Sequence, residues 1–305
     1  MTVDRDPASP NYGAVYLAYN WLASARTGPG LRIIASGDFG ATWQRLEVPK
    51  APAPAGYPAA WRIDYRVRTG PDGSLYVAAY QADLRRWDSR NIFAQGGSAN
   101  VDRLGFTVTR IQLDRGRGTF QSGPTVVATT LARNAYTIGG ASVPGTDGSL
   151  IIHPSWQIGL DVDRVTGAVY LAIGDWLAAA PGRTPIGVIR VGRSDDGGRT
   201  WSWTTLAALA PIAGRAQSAW KPSIVARDGL LVDMFHGIGR TAGGRVTVGQ
   251  YFAISRDGGQ AFEATRQLDA TRWDANALAG TPNAAGLRER ADWTADGRVV
   301  WVWGG

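Results

Sequence analysis

The sequence predicts an all-β fold, a β-propeller of four-stranded antiparallel blades in one domain over 1–305. Three observations predict it. One octapeptide occurs three times, a glycine-led apolar strand recurs along the chain, and such a strand precedes each octapeptide. Repeats at this spacing outrank local propensity in deciding a fold.

The octapeptide is S-x-D-x-G-x-T-W. It stands as Ser36-Gly37-Asp38-Phe39-Gly40-Ala41-Thr42-Trp43 and as Ser194-Asp195-Asp196-Gly197-Gly198-Arg199-Thr200-Trp201. The third copy, Ser255-Arg256-Asp257-Gly258-Gly259-Gln260-Ala261-Phe262, has Ala for Thr and Phe for Trp. A short carboxylate accepts backbone N–H groups of its own turn, and the hydroxyls tie the turn's ends. Glycine takes the backbone angles other residues resist. The aromatic then re-enters the sheet and buries apolar surface. Asp38, Asp196 and Asp257 are therefore read as hairpin staples, with a metal or catalytic carboxylate as the lesser reading.

Gly13-Ala14-Val15-Tyr16-Leu17-Ala18-Tyr19 recurs as Gly167-Ala168-Val169-Tyr170-Leu171-Ala172-Ile173, with looser copies from Gly73, Gly229 and Gly297. Each is a turn followed by a strand apolar on both faces, as stacked blades require. Naming the strands of a blade a to d from the centre outward, these are strands b, and the octapeptide closes the c–d turn. Blade A keeps only Met1 to Asp4 of its strand a, with b at 13–20, c near 31–36 and d near 43–48. Blade B runs from about 61 to 130, blade C from 151 to 208 and blade D from 217 to 268. The segment 290–305 supplies strands a and b of a fifth blade. The expectation is a ring of five to six blades.

Alternating strand direction puts the a–b and c–d turns on one face, and the b–c and d–a connections on the other. Functional loops belong to the second face, away from the octapeptides. There the sequence places both histidines, His153 and His236, and the strand-a starts Trp61-Arg62, Trp156, Trp220-Lys221 and Arg288-Glu289-Arg290. It also places there Tyr80, Asp175 and Trp176, at or just past the expected ends of strands b. The tryptophans serve either as packing between blades or as platforms for sugar rings. The histidines are either hydrogen-bonded loop residues or an acid and a base working near neutral pH.

The net charge of +7 is almost all arginine, since Lys50 and Lys221 are the only lysines. The cations are scattered among acids with no basic run, which argues against nucleic acid and leaves a glycan or small anionic substrate. No cysteine is present, so disulfides and thiolate metal sites are excluded, and nothing calls for a cofactor. No apolar run has the length to span a membrane as a helix. The first residues do not form a signal peptide.

The octapeptides resemble the Asp-box, or BNR, repeat of sialidases and related propellers. The resemblance implies a sialidase-like fold, a carbohydrate-active protein and, by family habit, a secreted or periplasmic one. It also implies an arginine cluster for a substrate carboxylate, a Tyr nucleophile helped by Glu, and an Asp acid/base. Trp61-Arg62-Ile63-Asp64 is similar to the family's F/Y-R-I-P segment, with Asp64 where Pro is expected. Glu289 is the one glutamate placed at the channel, since Glu47 and Glu263 fall in outer strands. The leading expectation is a glycoside hydrolase acting on an anionic sugar. Arg62, Arg290 and Lys221 would bind the anion, Glu289 and Asp64 would do acid/base work, and Trp156 and Trp176 would stack. A non-catalytic glycan- or protein-binding propeller is the alternative class. A chemistry run by His153 and His236 is the third.

Overall fold

The computed structural model describes residues 1–22, 29–46, 60–83, 104–114, 119–131, 158–177, 186–211, 217–241, 243, 245–274, 290–294 and 296–302. Among them every regular element is a strand. Blade A is β1 (Thr2–Val3), β2 (Val15–Leu22), β3 (Pro29–Ser36) and β4 (Gln44–Leu46). Blade B is β5 (Ala60–Thr69), β6 (Leu75–Asp83), β7 (Leu104–Asp114) and β8 (Thr119–Leu131). Blade C is β9 (Gly159–Val162), β10 (Val169–Leu177), β11 (Ile186–Ser194) and β12 (Ser202–Thr205). Blade D is β13 (Ser218–Arg227), β14 (Leu230–Arg240), β15 (Val246–Ser255) and β16 (Arg266–Gln267), with β17 (Trp273–Asp274) added on β15. The fifth sheet holds β18 (Arg290–Trp293) and β19 (Val299–Val302). All pairings are antiparallel, and the inner strands β1, β5, β9, β13 and β18 neighbour one another in chain order.

The period-two pattern of strand b explains the packing. In β10, Val169, Leu171 and Ile173 turn toward blade B and join Tyr76, Phe106 and Val108. Tyr170 and Ala172 turn the other way, to Ile224, Leu231 and Phe235 of blade D. Similar clusters fill the A–B seam, around Tyr16, Ile33 and Leu75, and the seam of β14 with β19, around Met234 and Trp301. The core is therefore a set of radial seams. Gly159 marks how close they are, since a Cβ there would lie 2.9 Å from the Ile224 backbone nitrogen of the next blade.

The glycines that lead strands b have one backbone state. Gly13, Gly73, Gly167, Gly229 and Gly297 have φ between 74° and 82°, a region L side chains avoid. The octapeptides form the expected staples. In the second, Ser194 Oγ donates to Asp196 Oδ1 at 2.8 Å and accepts Gly198 N–H at 2.7 Å. Thr200 N–H and Oγ1 donate to the two carboxylate oxygens at 2.9 and 2.7 Å, and Trp201 Nε1 closes on Gly198 O at 3.0 Å. The copy at Asp38 repeats all of these contacts, and Asp257 keeps those that need neither the Thr hydroxyl nor the indole N–H, since Ala261 and Phe262 stand there.

Hydrogen bonds from Thr42 hold Asp38 down at about 2 from its ordinary 3.8. Asp196 and Asp257 are lowered by Thr200 and by the Ala261 N–H, respectively. A carboxylate with a lowered folded pKa contributes stability above its unfolded value, and that stability is lost as pH falls through the folded one. The staples should therefore weaken between about pH 4 and pH 2. Thermal melts over that range should show a smaller acid loss in Thr42→Val than in wild type. An unchanged acid limb would mean the staple carries no linkage.

One expectation is corrected. Asn20, Tyr80, Gly174 and His236 do not end strands b, which run on to Leu22, Asp83, Leu177 and Arg240. Asp175 and Trp176 are consequently strand positions and not loop positions. The ladder continues because strand c opposite each is long enough to pair them, as Val246–Gln250 pairs His236–Arg240.

Candidate functional site

A small cleft opens at the inner strands of blades A and B and the fifth sheet. Met1, Ala18, Tyr19, Tyr65, Arg66, Val67, Arg68 and Arg290 line it. Three arginines and two tyrosines contribute to this lining, the Arg66 side chain being buried with Nη1 donating to Tyr65 O, and no carboxylate stands among the described lining residues. Arg66 and Arg68 stand two apart on β5, so one strand carries both on the face that Ala78 and Tyr76 turn toward blade C. Arg290 opens β18 and donates to Met1 O at 3.4 Å, which brings β18 against the start of the chain.

Arg68 lines this cleft and forms a tie through the ring. Its Nε donates to Asp161 Oδ1 at 3.0 Å, Nη1 to Val67 O at 3.2 Å and Nη2 to Ala291 O at 3.3 Å. Asp161 Oδ2 in turn accepts Ala226 N–H at 2.8 Å. The run Ala291–Arg68–Asp161–Ala226 thus joins β18, β5, β9 and β13. Burial pushes the Asp161 carboxyl up, Arg68 opposes that, and Asp292 adds to the rise.

Arg290 lies in the cleft, beside Tyr19. Trp61, Arg62 and Asp64 lie on β5 and Tyr80 on β6, while Trp176 lies on β10; of these the strand positions alone are described. His153, Trp156 and Glu289 lie outside the described residues. Asp175 pairs with Arg190 at 3.0 Å, and that arginine stacks over Trp203 at 5.3 Å.

His236 is buried, with its ring 5.6 Å from Trp220 on one side and 5.6 Å from Trp301 on the other. Lys221 is buried as well, its ammonium 4.6 Å over the Trp220 ring, at a β-bulge with φ 51°. Both side chains are seam packing in this arrangement and do not line the cleft. Asp38, Asp196 and Asp257 sit in the turns on the face where Gly229 and its a–b turn also lie, as Gly258 N–H donating to Gly229 O records.

No family model matches the chain, and no curated protein matches it by sequence. Its structure is similar to the α-L-arabinofuranosidase of Fusarium graminearum solved with an iminosugar inhibitor, at TM-score 0.55 and 12% identity over 95% of this chain and 71% of that one. It is similar also to the Penicillium chrysogenum α-L-arabinanase complexed with arabinobiose, at TM-score 0.56 and 13% identity over 97% of this chain and 72% of that one. The fold is a β-propeller.

Within this propeller the sequence reading stopped one turn of the strand too early in blade B. It singled out Arg62 and passed over Arg66 and Arg68. The signal was present, because three arginines in one inner strand are out of place in a sheet buried on both faces. Asp161 gave no such signal, as its partner lies 93 positions away.

Proposed function

We propose that this propeller is carbohydrate-active and that its central cleft takes an anionic sugar, with glycoside hydrolysis as the reaction. The observation that carries the reading is the convergence of Arg66, Arg68 and Arg290 with Tyr19 and Tyr65 around one cleft. Guanidinium groups match a carboxylate in a planar, bidentate way, and phenols supply hydroxyl partners for a sugar ring. The solved structures of similar fold are named as glycosidases, which supports a sugar as the ligand class.

In this reading the arginines hold the acidic group of the substrate and orient the ring. Glu289 is next in sequence to Arg290, so the acid/base group and a substrate anchor belong to one short segment. Arg288 and Arg290 flank Glu289 and would favour its ionised form, the form needed to withdraw a proton from a Tyr hydroxyl or a water.

The test is turnover and binding across aryl glycosides of sialic acid, hexuronic acids and neutral arabinose. Arg290→Ala should weaken binding of the acidic sugars about 10- to 100-fold, the range of a hydrogen bond to a charged group. Glu289→Gln should retain binding and lose turnover. Turnover of neutral arabinosides, indifferent to Arg290→Ala, would replace the anionic reading. Glycan binding with no hydrolysis by wild type would make this a binding module.

A further inference from the structure

We infer that Asp161 is a specificity-determining residue: it neutralises Arg68, which lines the cleft, and so lowers the charge that Arg68 would otherwise present to a ligand. The inference rests on the cleft being the sugar site, but its chemistry can be read without a sugar. Arg68 is held on all three nitrogens, by the Asp161 carboxylate, Val67 O and Ala291 O. Its ion pair with Asp161 is 3.0 Å long, with both side chains largely out of solvent. In such surroundings a carboxylate this close cancels most of the field of its partner.

Asp161 itself does not line the cleft, so it acts on a ligand only through Arg68. The remainder of its bonding is to the backbone N–H groups of Ala226 and Val162, and the single side-chain oxygen of an asparagine can still accept from Ala226. Charge and scaffold roles are therefore separable at this position. Asp161→Asn keeps an acceptor for the Ala226 N–H of β13, removes the negative charge and sets an amide NH2 where Arg68 had an acceptor. Asp161→Ala also vacates the space in front of the Arg68 guanidinium.

Two consequences follow. First, Asp161→Asn should bind acidic monosaccharides more tightly than wild type, by about tenfold, while neutral sugars bind as before. Second, Asp161→Ala should recruit a small anion in place of the lost carboxylate. Its thermal midpoint should rise with formate at constant ionic strength, under conditions where wild type is indifferent and chloride has no effect. Rescue of this kind reads the anion held against Arg68, and the sugar arm reads whether that charge sets ligand choice.

The experiment is calorimetry of wild type and Asp161→Asn with N-acetylneuraminate, glucuronate and arabinose, together with formate titration of both variants followed by thermal melts. Tighter acidic-sugar binding by Asp161→Asn, or formate-specific stabilisation of either variant beyond wild type, supports the assignment. Equal or weaker acidic-sugar binding together with no anion-specific stabilisation overturns it. If no acidic sugar binds wild type or variant, the proposed function fails, and the formate arm alone decides the role of Asp161. Should Asp161→Ala not fold, formate titration of Asp161→Ser, whose shorter side chain also opens the space in front of Arg68, carries the same decision.

Discussion

Asp233→Asn should remove a loss of stability that the wild-type protein suffers as pH rises above about 4. Asp233 is fully buried on β14, between Leu231 and Phe235 in the seam of blades C and D. Neither carboxylate oxygen has a hydrogen-bond partner. Burial pushes this carboxyl well above 3.8, and the nearby Ser223 N–H opposes that only weakly. The native state therefore keeps a proton that the unfolded chain releases. For a single acid of raised pKa, stability is full below 3.8 and falls by about 1.4 kcal/mol per pH unit until the folded pKa is reached. Asparagine has the same size and no proton to lose, so its stability should be flat in this window. Urea denaturation of both proteins from pH 4 to pH 8 checks this. Parallel curves would mean that Asp233 is ionised and solvated in solution.

This slope has the opposite sign to that of the staples and lies in a different range. Asp38, Asp196 and Asp257 lose stability toward acid, below about pH 4. Asp233 loses it toward neutral pH. The two effects are therefore separable in one set of melts, with Thr42→Val flattening the acid limb and Asp233→Asn flattening the other.

Phe106→Ala should cost about 3–5 kcal/mol. Phe106 is fully buried on β7, pairs with Tyr80 across the sheet, and belongs to the cluster that joins blade B to Ile158, Leu160 and Leu171 of blade C. Its ring faces strands from two blades, so no single element can close the void left by truncation. The midpoint of urea unfolding should fall while the slope stays the same, the mark of lost stability without a change in the surface exposed. A cost near 1 kcal/mol would mean that the seam relaxes, and Phe106→Leu should then be nearly silent.

Much of the architecture was legible because it is written in local chemistry. The five glycines ahead of strands b could be found by pattern, since each turn needs the same positive φ. The staples could be found because Ser, Asp, Gly and Thr bond within one octapeptide and need no distant partner. Strand direction followed from these, and with it the division of the turns between two faces. The apolar run of strand b told that both faces are covered, and each face does meet a neighbouring blade.

The site was legible only in part. Arg290 was named from its place at the start of an inner strand, and it lies in the cleft. His236 was expected at a mouth because strand b was expected to stop there, and the strand continues four residues further. Nothing local marks that point, since the ladder is extended by whatever strand c can pair with it. Lys221 was expected to meet an anion, and its ammonium lies over the face of Trp220, at a bulge in β13.

By itself the sequence determined the repeat, the strand order and the hairpin staples, since these rest on contacts a few residues apart. The tertiary structure alone decided which arginines share a space, that Asp161 faces Arg68, and that Asp233 is sealed in a seam. Those are meetings between blades, and their partners are set by how inner strands pack around a centre. A carboxylate 93 positions from its arginine leaves no mark in either neighbourhood. The fold had to form before that pair, and the charge of the cleft with it, could exist.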